Sequence, residues 1–131
     1  MLQLKMIMET IWVIGVGQFG SHAARSLSRH HRDWRFVLVD PVEENLLKVD
    51  CPNCILVKED GISYLNHHLH PENGPAWIIP ALPIHLAGEW CRTQLGPDRV
   101  SRVDLPVEIE PFLPNPLRGD DGNIYVSHAQ F

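Results

Sequence analysis

The sequence predicts an α/β fold, namely a single domain with a doubly wound parallel sheet in the strand order 3-2-1-4, plus strands in the tail. Two observations carry this prediction. Short apolar segments alternate with segments whose apolar residues recur at helical spacing, and the first apolar segment runs directly into a glycine-rich turn. Such alternation is typical of right-handed crossovers and of a parallel sheet that helices cover on both faces.

The first two strands and the first helix come from the amino-terminal third of the chain. "IWVIGVGQFGSHAARSL" (Ile11–Leu27) begins with apolar, mostly β-branched residues and continues through a glycine turn. Small or apolar residues then recur at helical spacing, at Gly20, Ala23, Ala24 and Leu27. "RFVLVDP" (Arg35–Pro41) is a compact apolar run that ends in an acid, which is typical of a buried parallel strand.

The remaining elements continue the alternation. "VEENLLKV" predicts a short helix, "CILV" (Cys54–Val57) a third strand, and Ile62–Leu69 a helix that Pro71 closes. "AWII" (Ala76–Ile79) predicts the fourth strand, and a last helix is expected to begin at Pro83. That helix is expected to bury its apolar face, which consists of Ile84, Ala87, Cys91 and Leu95. Its opposite face is expected to be exposed and consists of His85, Glu89 and Arg92.

The chain is expected to consist of a dinucleotide-binding domain over residues 1–95 and a proline-rich tail over residues 96–131. No helix is expected in the tail. "LPVEIE" and "NIYVSHA" each predict a strand, with "RGDDGN" as the turn between them, and these strands extend the sheet edge or pair with another chain. The tail is also rich in apolar residues that need cover, which favours a homodimer; they are Phe112, Leu113, Ile124, Tyr125, Val126 and Phe131.

Charge and hydropathy exclude several classes of partner. The chain has 11 basic and 16 acidic side chains and a formal net charge of -5, which argues against a nucleic-acid partner. No apolar run approaches the roughly 20 residues that a membrane span needs, and no signal peptide is evident. The expected location is therefore cytoplasmic, without membrane insertion.

The three cysteines leave two interpretations open. Cys51 and Cys54 in "CPNC" have the spacing of half a zinc site or of a redox dithiol, with Cys91 and a histidine of "NHHLH" as further metal ligands. In the other interpretation the motif is a Pro-Asn turn that leads into a strand. A second closely spaced ligand pair is not visible, so the turn is favoured and no metal site is predicted.

The glycines of the first turn have the spacing G-x-G-x-x-G, at Gly15, Gly17 and Gly20. The first glycine permits the tight turn, the second lets a pyrophosphate approach the backbone, and the third lets helix and strand pack closely. Asp40 follows 20 residues after the last glycine, at the end of the second strand, as a Rossmann-like dinucleotide fingerprint requires.

Asp40 also indicates which dinucleotide is bound. A carboxylate at this place accepts hydrogen bonds from the adenosine ribose and repels a 2′-phosphate, so NAD(H) is predicted over NADP(H). S-adenosylmethionine sites use a similar turn and acid, but as a rule without this third glycine, and rank lower.

Three segments, "VIGVGQFG", "VLVDP" and "VKEDGISYL", together resemble the nucleotide-binding domain of Trk-type potassium-uptake regulators, the regulators of potassium conductance. The resemblance covers about Ile11–Leu95 and implies that the turn after the third strand lies near the adenine. The predicted cofactor-binding residues are Gly15, Gly17, Gln18, Phe19, Gly20, Asp40, Pro41, Asp60, Gly61, Pro80 and Ala81.

Two classes of function fit this site. The first is a nucleotide-binding or sensing module, and the second is a small NAD-dependent dehydrogenase with its site at the carboxyl ends of the strands. A dehydrogenase needs an acid-base group near the nicotinamide, and His85 is the one candidate in "PALPIH". Because catalysis would depend on this residue alone, the module is preferred.

Overall fold

The computed structural model describes residues 8–129. They form two compact units, of which the first ends at Gly96 and the second begins at Pro97. The elements in chain order are β1 (Thr10–Ile14), α1 (Gln18–His30), β2 (Arg35–Val39), α2 (Glu43–Leu47), β3 (Cys54–Val57), α3 (Gly61–His68), β4 (Trp77–Pro80), α4 (Leu86–Leu95), a 3-10 helix (Val107–Phe112), β5 (Leu117–Arg118) and β6 (Ile124–Tyr125).

A parallel four-stranded sheet with the order β3-β2-β1-β4 forms the centre of the first unit. Val13 of β1 lies opposite Leu38 of β2 and Ile79 of β4, and Leu38 lies opposite Leu56 of β3. The two central strands are buried along almost their whole length, whereas the edge strands β3 and β4 keep exposed residues. The strand order and direction confirm the predicted α/β fold.

The two faces of the sheet carry separate hydrophobic clusters, because successive side chains of a strand point to opposite faces. The cluster that includes residues of α1 and α2 consists of Ile11, Val13, Val16, Ala24, Phe36, Leu38 and Leu46. The cluster that includes residues of α3 and α4 consists of Trp12, Ile14, Val37, Val39, Tyr64, Leu65 and Leu86. Helices therefore cover both faces of the sheet, which confirms the doubly wound arrangement.

Helix α4 differs from its prediction in both its start and its buried face. It begins at Leu86 instead of Pro83, because the chain bends over residues 82–84 before the helix starts. Leu86 is buried and Trp90 packs against the same cluster, whereas Cys91 and Leu95 are exposed. The predicted apolar face was therefore wrong, because Leu86 and the large indole of Trp90 bury the adjacent face.

The second unit contains a hairpin around the predicted turn, but its first strand is Leu117–Arg118 and not the predicted "LPVEIE". "LPVEIE" overlaps a 3-10 helix, with Pro106 immediately before it and Pro111 inside it. Proline fixes φ and has no N–H to donate to a strand ladder, so these prolines oppose a strand there. The expectation of no helix in the tail was therefore wrong as well.

The strands β5 and β6 form their own antiparallel pair, and within residues 8–129 the parallel sheet ends at β4. "RGDDGN" supplies the turn between them, closed by hydrogen bonds from Gly119 N–H to the Asn123 carbonyl (2.8 Å) and from Gly122 N–H to the Gly119 carbonyl (3.1 Å). Of the two strands expected in the tail, only the one in "NIYVSHA" is present, and its pairing with Leu117–Arg118 does not extend the main sheet. Phe131 lies outside the described residues.

No helix within residues 8–129 has the length and apolar character that a membrane crossing requires.

Candidate nucleotide site at the glycine turn

The turn between β1 and α1 is held by backbone hydrogen bonds to both neighbouring strands. Gly15 N–H donates to the Val39 carbonyl of β2 (2.8 Å), and Ala81 N–H, just beyond β4, donates to the Ile14 carbonyl (2.8 Å). Gly15 has a φ of 92°, a conformation that only glycine adopts without strain. A Cβ on Gly15 would also lie 2.6 Å from the Ala81 carbonyl oxygen. The first glycine of the motif is therefore required by the fold itself.

The other two glycines of the motif have opposite surroundings. A Cβ on Gly20 would collide with the Gly15 carbonyl, so the close approach of α1 to the turn depends on glycine there. A Cβ on Gly17 would meet no atom within 4 Å. Gly17 also has an ordinary φ of -70°, which any residue adopts. No described neighbour would contact a Cβ at this position, and the space in front of it is open.

Helix α1 presents its amino terminus to this open space. Gly17 is its N-cap residue, and no side chain among residues 8–129 caps this end of the helix. The first N–H groups of an α-helix have no partner inside the helix, and the first turn here contains no acidic residue. Gln18 and Phe19 are exposed. Backbone donors and the positive end of the helix dipole are thus available to an anion.

Asp40 connects this turn to the start of α2. The residue as a whole is 5% exposed, and its carboxylate accepts hydrogen bonds from the backbone N–H groups of Val16 (2.7 Å) and Val42 (2.8 Å). The side-chain amide of Asn45 is a third donor, at 3.2 Å. A carboxylate has about four acceptor positions, so one remains for a ligand hydroxyl. The contact with an adenosine ribose stays a prediction, whereas the structure shows that Asp40 positions the turn.

The other predicted cofactor residues lie at the carboxyl ends of the strands. Pro41 follows Asp40 directly and is exposed, and Pro80 ends β4 opposite Ile14. Asp60 caps α3, because its carboxylate accepts a hydrogen bond from the Ser63 N–H at 3.0 Å.

Gly61 and Gly15 share the neighbours that surround the end of β1. Gly61 is buried, and a Cβ on it would collide with the Ile14 side chain and lie 3.0 Å from Leu82. Ala81 and Leu82 in turn lie over Gly15. The ends of β1, β2 and β4 are thus brought together around the turn, and the residues after β3 join them through Gly61.

A cavity of about 330 Å³ opens beside the turn, lined by Val16, Gly17, Gln18, Ser21, Arg25, Asn45 and Lys48. Its two cations come from different helical segments. Arg25 donates to the Ser21 carbonyl at 3.4 Å, and within residues 8–129 neither Arg25 nor Lys48 forms an ion pair with a carboxylate. Lys58, in contrast, pairs with Glu43 at 3.4 Å. The cavity therefore combines helix N–H groups with two cations that have no acidic partner in the described chain.

Five of these lining residues were missed by sequence reasoning, namely Val16, Ser21, Arg25, Asn45 and Lys48. Arg25 follows Ser21 by four residues and so lies on the same face of α1 as the start of the helix. Asn45 follows Asp40 by five residues, in a short helix whose orientation no sequence pattern gives. Residues from two separate helices meet here, which only the folded chain shows.

His85 and the cysteine pair lie apart from this turn. His85 is the exposed N-cap residue of α4, and its carbonyl accepts the Glu89 N–H at 2.9 Å. Cys54 is the first residue of β3 and is joined to Cys51 by a disulfide, at the amino end of the strand, whereas the glycine turn follows the carboxyl end of β1. Within residues 8–129 no group of three or more His, Cys, Asp or Glu side chains is arranged to hold a metal ion.

Comparisons with protein-family models, with curated proteins and with solved structures found no match to this chain.

Proposed function

We propose that the chain is a nucleotide-binding or sensing module that binds NAD(H) at the turn between β1 and α1. The observation that carries the proposal is the contrast among the three glycines. Gly15 and Gly20 are explained by contacts within the chain, whereas Gly17 faces open space. A glycine that the fold does not need, at the amino end of a helix, suits the close approach of a pyrophosphate to the backbone.

The electrostatics of the cavity support an anionic ligand. A pyrophosphate carries two negative charges, and it would meet helix N–H groups together with the cations of Arg25 and Lys48. Charge-assisted hydrogen bonds of this kind are about twice as strong as neutral ones. The chain as a whole is acidic, with a formal net charge of -5, so a local pair of cations without acidic partners among residues 8–129 favours a phosphate-bearing ligand at this place.

Asp40 supports NAD(H) as the specific dinucleotide. One acceptor position of its carboxylate remains after the three protein hydrogen bonds, and a ribose hydroxyl is a suitable donor. A 2′-phosphate near this carboxylate would be repelled. The resemblance of the motifs to Trk-type nucleotide-binding domains agrees with the same ligand class.

The test is a direct measurement of ligand identity and affinity. Nucleotide that co-purifies with the protein is identified by mass spectrometry, and the protein freed of ligand is titrated with NADH and NADPH by calorimetry. We expect saturable binding with NADH preferred, and a preference that narrows in Asp40→Ala. Binding of neither dinucleotide by the folded protein would refute the proposal, and equal affinities would refute the role given to Asp40.

The dehydrogenase remains the alternative, with His85, the exposed N-cap residue of α4, as its acid-base group. The two classes are separated by assaying hydride transfer from NADH to a panel of small carbonyl compounds. Turnover that disappears in His85→Ala, with NADH affinity unchanged, would favour the dehydrogenase over the sensing module.

We also propose that the module is a homodimer. The second unit exposes large apolar side chains, of which Phe112 is 88% and Leu117 69% exposed. Exposed apolar surface of this kind is typical of an interface with another chain. Light scattering at micromolar concentration is expected to give twice the mass of the chain, and the mass of a monomer would contradict the proposal.

A further inference from the structure

The segment between α2 and β3 contains a compact four-residue turn closed by the two cysteines of "CPNC". Cys51 and Cys54 are joined by a disulfide, with their Cα atoms 5.4 Å apart, and the Cys54 N–H donates to the Cys51 carbonyl at 3.2 Å. The side-chain amide of Asn53 donates to the Trp34 carbonyl at 3.2 Å, which ties the turn to the segment before β2. The turn is thus held in place by contacts other than the sulfur bridge.

We propose that Cys51 and Cys54 are a reversible thiol–disulfide exchange site whose co-reactant is a small disulfide that carries carboxylates. Two features argue against a purely structural bridge. The loop that it closes is very short, so it constrains the unfolded chain less than a long loop would. Both cysteines are only partly buried and Pro52 is exposed, so a small molecule has access to the turn.

A cavity beside the turn supplies the recognition of such a co-reactant. It has a volume of about 450 Å³ and is lined by Ser28, Arg29, Arg32, Asp50, Pro52 and Asn53. Pro52 and Asn53 stand between the two cysteines in the sequence, so the cavity borders the turn that the disulfide closes. Within residues 8–129, Arg29 and Arg32 form no ion pair with a carboxylate, which leaves both guanidinium groups available to carboxylates of a ligand.

The reaction is an exchange of one disulfide for another. In the oxidising direction, the thiolate of one cysteine attacks a sulfur of glutathione disulfide, which forms a mixed disulfide and releases one glutathione thiolate. The second cysteine thiolate then attacks the protein sulfur of the mixed disulfide and releases the second glutathione thiolate. The protein dithiol loses two electrons and two protons, and glutathione disulfide gains them as two glutathione thiols. Excess glutathione drives the same steps in reverse.

The site is independent of the proposed nucleotide function, because Cys54 lies at the amino end of β3 and the glycine turn follows the carboxyl end of β1. A failure of NADH to bind therefore leaves this inference intact, and a failure of disulfide exchange leaves the nucleotide proposal intact.

The experiment uses the full chain with Cys91→Ser, which removes the exposed third cysteine. The protein is equilibrated with mixtures of glutathione and glutathione disulfide, quenched with an alkylating reagent, and analysed by intact mass spectrometry. We expect one reversible transition between a doubly alkylated dithiol and an unalkylated disulfide. A pair that stays reduced in excess glutathione disulfide, or oxidised in excess glutathione, would overturn the proposal, as would reduced protein that retains one equivalent of zinc.

A second measurement tests the cavity. The double variant Arg29→Gln, Arg32→Gln is oxidised with glutathione disulfide and, separately, with the uncharged 2-hydroxyethyl disulfide, and Lys58→Gln serves as the control for loss of a surface cation. We expect the rate with glutathione disulfide to fall about fivefold in the double variant and the rate with the uncharged disulfide to stay the same. An equal change in both rates, or a change in neither, would refute recognition by Arg29 and Arg32.

Discussion

Replacing Gly17 is the sharpest test of the candidate nucleotide site. The fold has room for a side chain at this position, whereas a bound pyrophosphate would be displaced by one. Its φ of -70° is ordinary for any residue, and an added Cβ would meet no atom within 4 Å. For Gly17→Ala we therefore expect the free energy of unfolding to change by less than about 1 kcal/mol. Alanine lowers the conformational entropy of the unfolded chain, which stabilises the fold, but it is a poorer N-cap than glycine, which destabilises it. The two contributions to the free energy of unfolding are similar in size.

The same methyl group at Gly20 has a different effect on folding. It would collide with the Gly15 carbonyl in a closely packed turn, and overpacking of this kind costs about 2 to 3 kcal/mol. Gly20→Ala is thus the matched control, with one added methyl three residues away. Chemical denaturation of the two variants beside the unmodified protein measures the difference directly.

A substitution at Gly17 is expected to weaken nucleotide binding strongly, although it changes the free energy of unfolding little. The larger side chain of Gly17→Val would occupy the space through which a pyrophosphate reaches the N–H groups of Gln18 and Phe19. Loss of two charge-assisted hydrogen bonds costs about 3 kcal/mol, which raises the Kd for NADH by about two orders of magnitude. Calorimetry gives the affinity, and circular dichroism confirms that the variant is folded. An unchanged Kd in folded Gly17→Val would refute the argument that Gly17 is kept for a ligand.

Three further predictions concern charged and titratable groups. Asp40→Ala should lower the free energy of unfolding by about 2 to 3 kcal/mol, because three protein donors lose their acceptor; an unchanged urea midpoint would contradict this. The double variant Arg25→Gln, Lys48→Gln should raise the Kd for NADH about fivefold at low salt and less at high salt, whereas the control Lys58→Gln should leave the Kd unchanged. An equal rise of the Kd in the double variant and in the control would refute binding of the nucleotide at this cavity. Burial, and secondarily the charge of Glu59, raises the pKa of Tyr64 above its ordinary value of 10.0. Its contribution to stability is therefore present below about pH 10 and is lost as the pH rises further. An ultraviolet titration, with Tyr64→Phe to identify the signal, checks the direction.

The parallel sheet could be predicted because its two central strands are buried on both faces. Continuous apolar runs such as residues 36–39 are typical of that environment, and the third strand, Cys54–Val57, has the bounds that were expected. The face of α4 could not be predicted in this way. Its helix is exposed along most of its length, so the contacts of Leu86 and Trp90 determine which side is buried, and those contacts depend on tertiary packing.

The tail shows where alternation of apolar and polar residues is a poor guide. Val107 and Ile109 alternate with glutamates as in a strand, but Pro106 and Pro111 flank them and favour a 3-10 helix. The turn "RGDDGN" was predicted correctly, because glycine and aspartate have local conformational preferences that need no tertiary partner.

The candidate site divides along the same line between local and tertiary causes. The spacing of the glycines and the position of Asp40 are local features, and the structure brings them together. The partners of Asp40 are mostly backbone N–H groups, which no sequence pattern identifies. Arg25 and Lys48 line the same cavity only because α1 and the end of α2 pack side by side.

The hydrogen bonds around the glycine turn also bear on how it would bind a ligand. Gly15 N–H is held by Val39 and Val16 N–H by Asp40, so the turn has its conformation before any nucleotide arrives. The entropy of ordering these residues is then part of the free energy of folding, and binding does not have to supply it again. Under the proposed function, Asp40 acts on affinity in two ways, through the remaining acceptor of its carboxylate and through the geometry of the turn. The proposal thus gives a reason for an acid at this buried position, because a neutral acceptor could also bind the three protein donors.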